Sequence, residues 1–293
     1  MMMRTDGATV AAALGAALGL KPIAITAVKG NGSGQTRFYY ITTKVGPWFC
    51  KRLPVSHFPQ LLQHERDGLD ALRVAGLSVP EDAVVHCSQE YQYLFTTFHH
   101  NNTPAPNFWE SAGAALAKLH QTKSFSFGWP HFNYIGLLLQ INTLVDDWIT
   151  FFRDYRLQPL VHQCTHAGLL PAMHTKQFEQ LYNRLQNFFE ANAKPVLLHG
   201  DLWRGNLMVH DNGGPLFIDP AVYFGNPAMD LAMTQLFGGF ANGFYAAYKN
   251  AGGHLPPTET IAVCNLYPLL VHLKLFGLSY LPKIEQTLHR FTE

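Results

Sequence analysis

The chain has 293 residues, is 47% hydrophobic and carries a formal net charge of +1. These values exclude a disordered polymer and give no support to a nucleic-acid-binding or membrane-surface protein. The four cysteines are widely separated, which argues against a zinc cluster or a disulfide framework and favours a cytoplasmic protein. No run of about 18 uncharged apolar residues predicts a membrane span. Nothing indicates a large apolar interface, which favours a monomer.

The first 98 residues are predicted to form strands around one amphipathic helix at 58–76. Residues 8–20 resemble the apolar part of a signal peptide, but Asp6 precedes them and a strand pattern follows Pro22. They are therefore interpreted as an N-terminal helix. The predicted strands are 23–28, 36–43, 48–53, 83–88 and 91–98.

A polar, proline-containing linker at 99–107 separates this part from a mainly helical remainder. One β-like island, 194–220, lies inside the helical part and contains a hairpin with "DNGG" as its turn. Helices are predicted at 108–123, about 142–165, 174–192, 226–250 in pieces, and 257–281. The sequence thus predicts an α+β protein with a lobe at 1–98 and a larger helical lobe at 99–293.

The stretch "HGDLWRGN" places Asp201 and Asn206 five residues apart, and "FIDP" supplies Asp219 after a short hairpin. Phosphoryl transfer needs a carboxylate beside the attacking hydroxyl and hard oxygen ligands for Mg²⁺. The spacing favours Asp201 as the base and Asn206 with Asp219 as metal ligands, and we expect the hairpin to return Asp219 beside Asn206. Gly-Asp pairs alone are common in turns, so the joint pattern carries the prediction.

The N-terminal part contains candidates for nucleotide binding. Phe49, Lys51 and Leu53 are two residues apart along a predicted strand, so their side chains point to the same face. A lysine on an apolar face needs a partner for its ammonium group, which Glu65 on the next helix can supply. A surface Lys and a solvated Glu are the alternative. Other candidates are a glycine-rich turn, which could equally be an ordinary hairpin, and the end of the last strand, whose backbone could contact adenine: Gly30, Gly32, Gly34, Thr96, Thr97 and Phe98.

The chain resembles the aminoglycoside phosphotransferase and protein-kinase-like superfamily, and within it the fructosamine kinase (ketosamine-3-kinase) family. The residues that carry the closer resemblance are "LLHGDLWRGN", "FIDPAVYFGNPAMDLAMTQLFGGF" and "GWPHFNYIG…WITFFRDYRLQPLV". "HGD-x-x-x-x-N" marks only the superfamily, whereas the Trp of "HGDLWxGN" and "DLAMTxLFGGF" are more specific. The resemblance spans nearly the whole chain and implies a bilobal protein-kinase-like fold.

The resemblance implies roles by position. Asp201 would orient a sugar hydroxyl, Asn206 and Asp219 would bind Mg²⁺, and Lys51 backed by Glu65 would hold the phosphates of ATP. Two further residues, His199 and Asp230, would brace the catalytic loop. The glycine-rich turn is shorter than the family's "GGxIN" type and has Ser33 or Gly34 where some members carry a cysteine, which puts a redox role there in doubt.

Three residues are candidates for substrate contacts. Trp203 could pack on the apolar face of a sugar or simply against the helical lobe. Tyr223 follows the second aspartate, and Arg156 lies in "RDYRL". Arg156 could instead pair with a carboxylate on its own helix.

The leading hypothesis is an ATP- and Mg²⁺-dependent kinase that phosphorylates the 3-hydroxyl of ketosamines and so promotes deglycation. An alternative keeps the fold and takes an aminoglycoside, choline or homoserine as the acceptor. The scarcity of carboxylates after Asp219 argues against a polycationic aminoglycoside. A catalytically silent nucleotide-binding pseudokinase is a third possibility, but pseudokinases usually lack one of the four residues Lys51, Asp201, Asn206 and Asp219.

Overall fold

The structure is a computed structural model that describes residues 2–29 and 35–292, with the side chains of residues 2–5 left out. It divides into two compact units. The N-terminal unit comprises residues 1–106 and 208–219, and the C-terminal unit comprises residues 107–207 and 220–293. Among the described residues, no helix is long and apolar enough to cross a membrane.

The elements of the first 106 residues are α1 (Met2–Leu18), β1 (Pro22–Val28), β2 (Arg37–Thr43), β3 (Gly46–Pro54), α2 (Leu61–Val74), β4 (Val84–Cys87) and β5 (Tyr91–Thr97). The elements that follow are α3 (Phe108–Leu119), β6 (Asn133–Ile135), β7 (Leu138–Gln140), α4 (Trp148–Phe152), α5 (Gln158–His166), α6 (Ala172–Tyr182), β8 (Val196–Leu198), β9 (Leu207–Val209), β10 (Pro215–Phe217), β11 (Tyr223–Gly225), α7 (Ala228–Leu236), α8 (Asn242–Asn250), α9 (Thr258–Cys264), α10 (Leu266–Phe276) and α11 (Leu281–Thr292).

The N-terminal unit is built on a five-stranded antiparallel sheet in the order β1-β2-β3-β5-β4. Alternation along β3 separates two faces. Cys50 is fully buried against α1, in a cluster with Val10 and Leu14. Lys51 points to the opposite face of the sheet, where it contacts Glu65 of α2. The predicted N-terminal helix is present as α1, and it covers the face of the sheet that carries Cys50.

The units divide the chain differently from the predicted boundary at residues 98 and 99. The linker pairs with the β9–β10 hairpin, where the Asn101 side chain accepts a hydrogen bond from the Val209 N–H at 2.8 Å. The Ala105 N–H donates to the Gly213 carbonyl at 2.9 Å. These bonds keep both the linker and the hairpin with the N-terminal sheet, although the hairpin lies more than 100 residues later in the chain.

The C-terminal unit is mainly helical, with α3 packed closely on α8 at Gly113. A Cβ built on Gly113 would lie 2.1 Å from the Phe244 carbonyl oxygen, so a glycine is needed at this crossing. Two small antiparallel pairs, β6–β7 and β8–β11, were not predicted. Their strands have three residues each, which is too short for a periodic pattern to reveal.

Candidate active site

Lys51 lies between two carboxylates of the N-terminal unit. Its Nζ is 2.7 Å from the Glu65 Oε2 and 3.1 Å from the Asp219 Oδ1. β3 supplies the Lys, α2 supplies the Glu, and the strand that returns from the β9–β10 turn supplies the Asp. Lys51 and Glu65 are nearly buried, whereas the Asp219 side chain is 45% exposed. The Lys51 ammonium group thus contacts two carboxylates, the nearly buried Glu65 and the partly exposed Asp219.

The pKa values of this trio reflect burial and charge. Burial acts to lower the pKa of Lys51, but the negative charges of Asp219 and Glu65 outweigh it and hold that pKa above its usual value. Burial raises the pKa of Glu65, and the charge of Asp219 adds to this, while Lys51 opposes both. Lys51 therefore stays cationic and can attract phosphate.

A cavity of about 280 Å³ opens beside this trio within the N-terminal unit. Glu65 and Asp219 line one end, and Thr96, Thr97 and Phe98 line it as well. The apolar part of the lining comes from the sheet, from α2 and the loop after it, and from the hairpin: Phe49, Leu69, Pro80, Leu94, Met208, Leu216 and Ile218. A largely apolar cavity next to a lysine fits the base and phosphates of a nucleotide.

Two backbone donors at the end of β5 are already used inside the protein. The Thr97 N–H donates to the Glu81 carbonyl and the Phe98 N–H to the Pro47 carbonyl, both at 3.2 Å. These two N–H groups are therefore not available to a ligand. His99, His100 and Asn101 also line the cavity, which the sequence analysis did not anticipate because it ended the segment at Phe98.

In the C-terminal unit, Asp230 anchors the start of the loop 199–206, which is called the catalytic loop after its predicted role. Its Oδ2 accepts the His199 N–H at 2.8 Å and its Oδ1 accepts the Gly200 N–H at 2.9 Å. Asp230 and His199 are almost completely buried. His199 also accepts the Asp201 N–H on Nδ1 at 3.3 Å. This geometry is what the predicted bracing roles of His199 and Asp230 require.

Asn206 fixes the carboxylate of Asp201. The Asn206 Nδ2 donates to the Asp201 Oδ2 at 2.9 Å and to the Asp201 carbonyl at 2.8 Å. A five-residue spacing therefore closes into a small ring of hydrogen bonds. The two bonds use the nitrogen of the amide and leave its Oδ1 for another partner.

Each of these polar residues follows a glycine for a steric reason. Gly200 has a φ of +82°, and a Cβ there would lie 2.0 Å from the Ala221 carbonyl oxygen. A Cβ on Gly205 would lie 2.3 Å from the ring of Trp203. The loop thus packs against the segment after Asp219 on one side and folds over Trp203 on the other.

Each unit contributes an oxygen ligand of the kind that Mg²⁺ prefers. Asp219 of the N-terminal unit has a partly exposed carboxylate, and Asn206 of the C-terminal unit has an amide Oδ1 that its bonds to Asp201 do not use. That these two residues bind Mg²⁺ stays a prediction. Asp219 also has a φ of +51°, an uncommon backbone conformation that is found most often at functional positions. The predicted glycine contacts Gly30, Gly32 and Gly34 lie outside the described residues.

Arg156 and Tyr223 do not lie where a substrate could touch them. Both are fully buried, and the guanidinium group of Arg156 lies 4.1 Å from the centroid of the Tyr223 ring. Arg156 also donates to the Ile141 carbonyl at 2.7 Å and to the Asn142 Oδ1 at 2.6 Å. The predicted substrate contacts are thus corrected to a packed cation–π core behind the segment that follows Asp219. The alternative pairing of Arg156 with a carboxylate of its own helix has no support in these contacts.

Sequence reasoning missed His120, which supports Asp230 from behind. The His120 Nε2 lies 3.3 Å from the Asp230 Oδ2, and its Nδ1 lies 2.8 Å from the Tyr248 hydroxyl. His120 and Asp230 are 110 positions apart, so no local pattern links them.

Trp203 is half-buried, and its ring packs edge-on against Phe237 with centroids 6.0 Å apart. Packing against the helical part therefore occurs, as the alternative interpretation expected. Partial exposure also leaves part of the ring accessible.

The chain and its structure are similar to those of known proteins. A solved structure from Thermobifida fusca, provisionally named fructosamine-3-kinase, matches with a TM-score of 0.86 and 29% identity over 96% of this chain and 97% of its own. A spectinomycin phosphotransferase structure matches with a TM-score of 0.61 at 12% identity, over 97% of this chain and 93% of its own, which confirms the predicted α+β, protein-kinase-like fold.

Sequence relatives agree with the structural ones. A protein of Enterococcus faecium named as a probable ketoamine kinase is 34% identical over 90% of this chain and 94% of its own length. The sequence profile of the fructosamine kinase family matches residues 8–293. The resemblance predicted from the sequence is thereby confirmed, and the chain belongs to the fructosamine kinase family.

Proposed function

We propose that the protein is an ATP-dependent kinase that phosphorylates the 3-hydroxyl group of a ketosamine. The observation that carries the proposal is the fixed carboxylate of Asp201, which Asn206 holds at 2.9 Å in a loop anchored by Asp230. Membership of the fructosamine kinase family supports the substrate class. The relatives' names support a sugar hydroxyl as the acceptor.

In the proposed reaction, the 3-hydroxyl oxygen attacks the γ-phosphorus of ATP, and the bond between that phosphorus and the β,γ-bridging oxygen breaks. ADP leaves with that oxygen, and the hydroxyl proton passes to the Asp201 carboxylate and then to solvent. Lys51 holds the phosphate oxygens, with its ammonium group oriented by Glu65. Asn206 and Asp219 are the proposed Mg²⁺ ligands, and the bound ion would neutralise phosphate charge.

The product would be a ketosamine 3-phosphate. A phosphate on C3 is a much better leaving group than a hydroxyl, so elimination expels inorganic phosphate and gives an unsaturated imine. Hydrolysis of that imine by water releases the amine and so promotes deglycation. The burial of Arg156 and Tyr223 leaves Trp203 as the remaining member of the three predicted substrate contacts that is accessible.

The test is phosphoryl transfer from ATP and Mg²⁺ to a panel of acceptors: ribulose-lysine, fructose-lysine, an aminoglycoside, choline and homoserine. Mass spectrometry identifies the product, and fragmentation locates the phosphate. We expect phosphate on C3 of a ketosamine. Reaction of another acceptor alone would refute the substrate class and keep the kinase, whereas binding of ATP without any product would favour a pseudokinase.

A further inference from the structure

A chain of aromatic rings runs from the catalytic loop along α10 in the C-terminal unit. Its members, here called the aromatic wall, are Trp203, Phe237, His272, Phe276 and Tyr280. The centroid distances are 6.0 Å from Trp203 to Phe237, 4.5 Å from Phe237 to His272, 5.4 Å from His272 to Phe276 and 5.0 Å from His272 to Tyr280. The wall therefore connects the catalytic loop to the loop that follows α10.

The wall begins beside the proposed base. Trp203 is two residues after Asp201. Tyr267, on α10, lies near enough to Asp201 for the charge of that carboxylate to affect the pKa of Tyr267. Burial chiefly raises the pKa of Tyr267, Arg156 opposes this, and the negative charge of Asp201 adds to the rise. The helix that carries His272 and Phe276 therefore lies within electrostatic reach of Asp201.

The wall is not part of the closed core. Trp203, Phe237, His272 and Tyr280 are half-buried, and Phe276 is 51% exposed. Tyr267, on the same helix, is by contrast 4% exposed. Rings that contact one another edge-on or at a tilt, as these do, and keep accessible surface can offer that surface to a ligand.

The wall also lacks formal charge. Between residues 231 and 284 the chain contains a single carboxylate side chain, Glu259, and this residue pairs with Arg290 at 2.5 Å. Lys274 on α10 is directed to the Gln163 carbonyl at 3.5 Å. Burial lowers the pKa of His272, which keeps its ring neutral near pH 7. Within residues 231–284, a cation that reaches this surface therefore meets aromatic rings, and the one carboxylate of that stretch is already paired.

We propose that the aromatic wall binds the amine-bearing part of the acceptor and holds its protonated secondary ammonium group by cation–π contacts. This inference rests on the proposed function. In a ketosamine the nitrogen lies four covalent bonds from the 3-hydroxyl oxygen, a span of roughly 5 Å. A hydroxyl placed at Asp201 therefore brings the nitrogen within reach of Trp203 and the rings behind it.

The test compares two matched substitutions. Phe237→Leu keeps an apolar side chain and removes the ring from the wall. Phe240→Leu is the control, because Phe240 lies three residues later and packs against Trp109 and Phe244, outside the wall. Three acceptors are used: ribulose-lysine, free ribulose, and a 1-O-alkyl ribulose in which an ether oxygen replaces the charged nitrogen.

We expect Phe237→Leu to raise the KM for ribulose-lysine roughly two- to thirty-fold, the range of a lost cation–π contact. The KM for the ether, the KM for ATP and kcat should stay near wild type, and Phe240→Leu should change none of them. Tyr280→Leu is a second variant at the rim of the wall and should act in the same direction. Circular dichroism establishes that each variant is folded.

Two results overturn the inference alone. Either Phe237→Leu and Tyr280→Leu leave the KM for ribulose-lysine unchanged, or they raise the KM of the ether equally, which would indicate shape and not charge. In both cases the wild type still phosphorylates ketosamines and the proposed function stands. If the wild type phosphorylates no ketosamine, the proposed function fails and takes this inference with it.

Discussion

At the scale of single residues, the site depends on carboxylates that differ in environment. Asp230 is buried and accepts two backbone N–H groups, Glu65 is buried beside Lys51, and Asp219 is 45% exposed. The Asn206 amide holds the Asp201 carboxylate. Burial and hydrogen bonding thus give Asp230 a supporting role in the loop, whereas the chemical roles of Asp201 and Asp219 stay predictions.

Replacing Asp201 by Asn should abolish most of the activity and leave the stability of the protein nearly unchanged. The substitution keeps the size of the side chain and an oxygen for the Asn206 amide, but it removes the proton acceptor. We expect kcat to fall by about two to four orders of magnitude, the usual contribution of a general base. Steady-state kinetics with ribulose-lysine measures this.

The control for this prediction is Asp154→Asn, at a carboxylate that pairs with its neighbour Arg153 and lies outside the loop. It should leave kcat unchanged, and thermal unfolding should show both variants close to wild type. A kcat for Asp201→Asn within a few fold of wild type would rule out the role of base.

Glu65 should make stability depend on pH. Its pKa is raised in the folded protein, so the folded state holds that proton more tightly than the unfolded state. The stabilisation is complete below its ordinary pKa of 4.5 and is lost as the pH rises toward neutral. We expect Glu65→Gln, which cannot ionise, to gain free energy of unfolding relative to wild type over this range.

Urea denaturation at pH 5 and pH 8 checks this sign. The difference between Glu65→Gln and wild type should be more favourable to the variant at pH 8 than at pH 5. The same variant should raise the KM for ATP, because Lys51 loses one of its two orienting charges. A difference that moves the other way would mean that the pKa of Glu65 is lowered.

At the scale of elements, helix contacts that depend on glycine are open to a direct test. Gly113 brings α3 against the backbone of α8, and a Cβ there would lie 2.1 Å from a carbonyl oxygen. Gly113→Ala should therefore destabilise the protein by about 1–3 kcal/mol. Gly15→Ala in α1 has its nearest neighbour at 3.7 Å and should stabilise by roughly 0.5–1 kcal/mol.

Chemical denaturation of the two variants tests this. The midpoint of unfolding should fall for Gly113→Ala and rise for Gly15→Ala. If both variants were equally stable, the close crossing of α3 and α8 would be wrong.

The elements also show what the sequence could and could not predict. The strands of the main sheet were predictable because their side chains alternate and turns bound them, and "HGDLWRGN" was recognisable by spacing alone. The pairing of β8 with β11 was hidden in three-residue strands. The burial of Arg156 was also hidden, because it depends on contacts with Asn142 and Tyr223 that no periodicity encodes.

At the scale of the whole molecule, the cavity beside Lys51 is lined by segments that lie far apart in the chain. Residues from 94–101 and from 208–219 both contribute to its lining. ADP binding should therefore slow amide hydrogen exchange in both segments at once. Helix α6, which contributes no residue to this cavity, is the internal control.

Hydrogen exchange followed by mass spectrometry measures the effect, with Lys51→Met as the variant that loses the phosphate-binding cation. We expect protection of both segments in wild type and a marked loss of it in the variant. Protection of residues 94–101 without residues 208–219 would contradict the cavity described here.

The polypeptide passes from one unit to the other three times, at residues 106–107, 207–208 and 219–220. A gene fragment that ends at residue 106 would therefore lack Met208, Leu216 and Ile218, which form one wall of the cavity. Each unit consists of two separate stretches of the chain, so neither can be exchanged, deleted or fused as one continuous segment. Recombination that replaces one half of such a gene must carry the twelve-residue insert along with the N-terminal half, so related genes can diversify by substitution more readily than by shuffling.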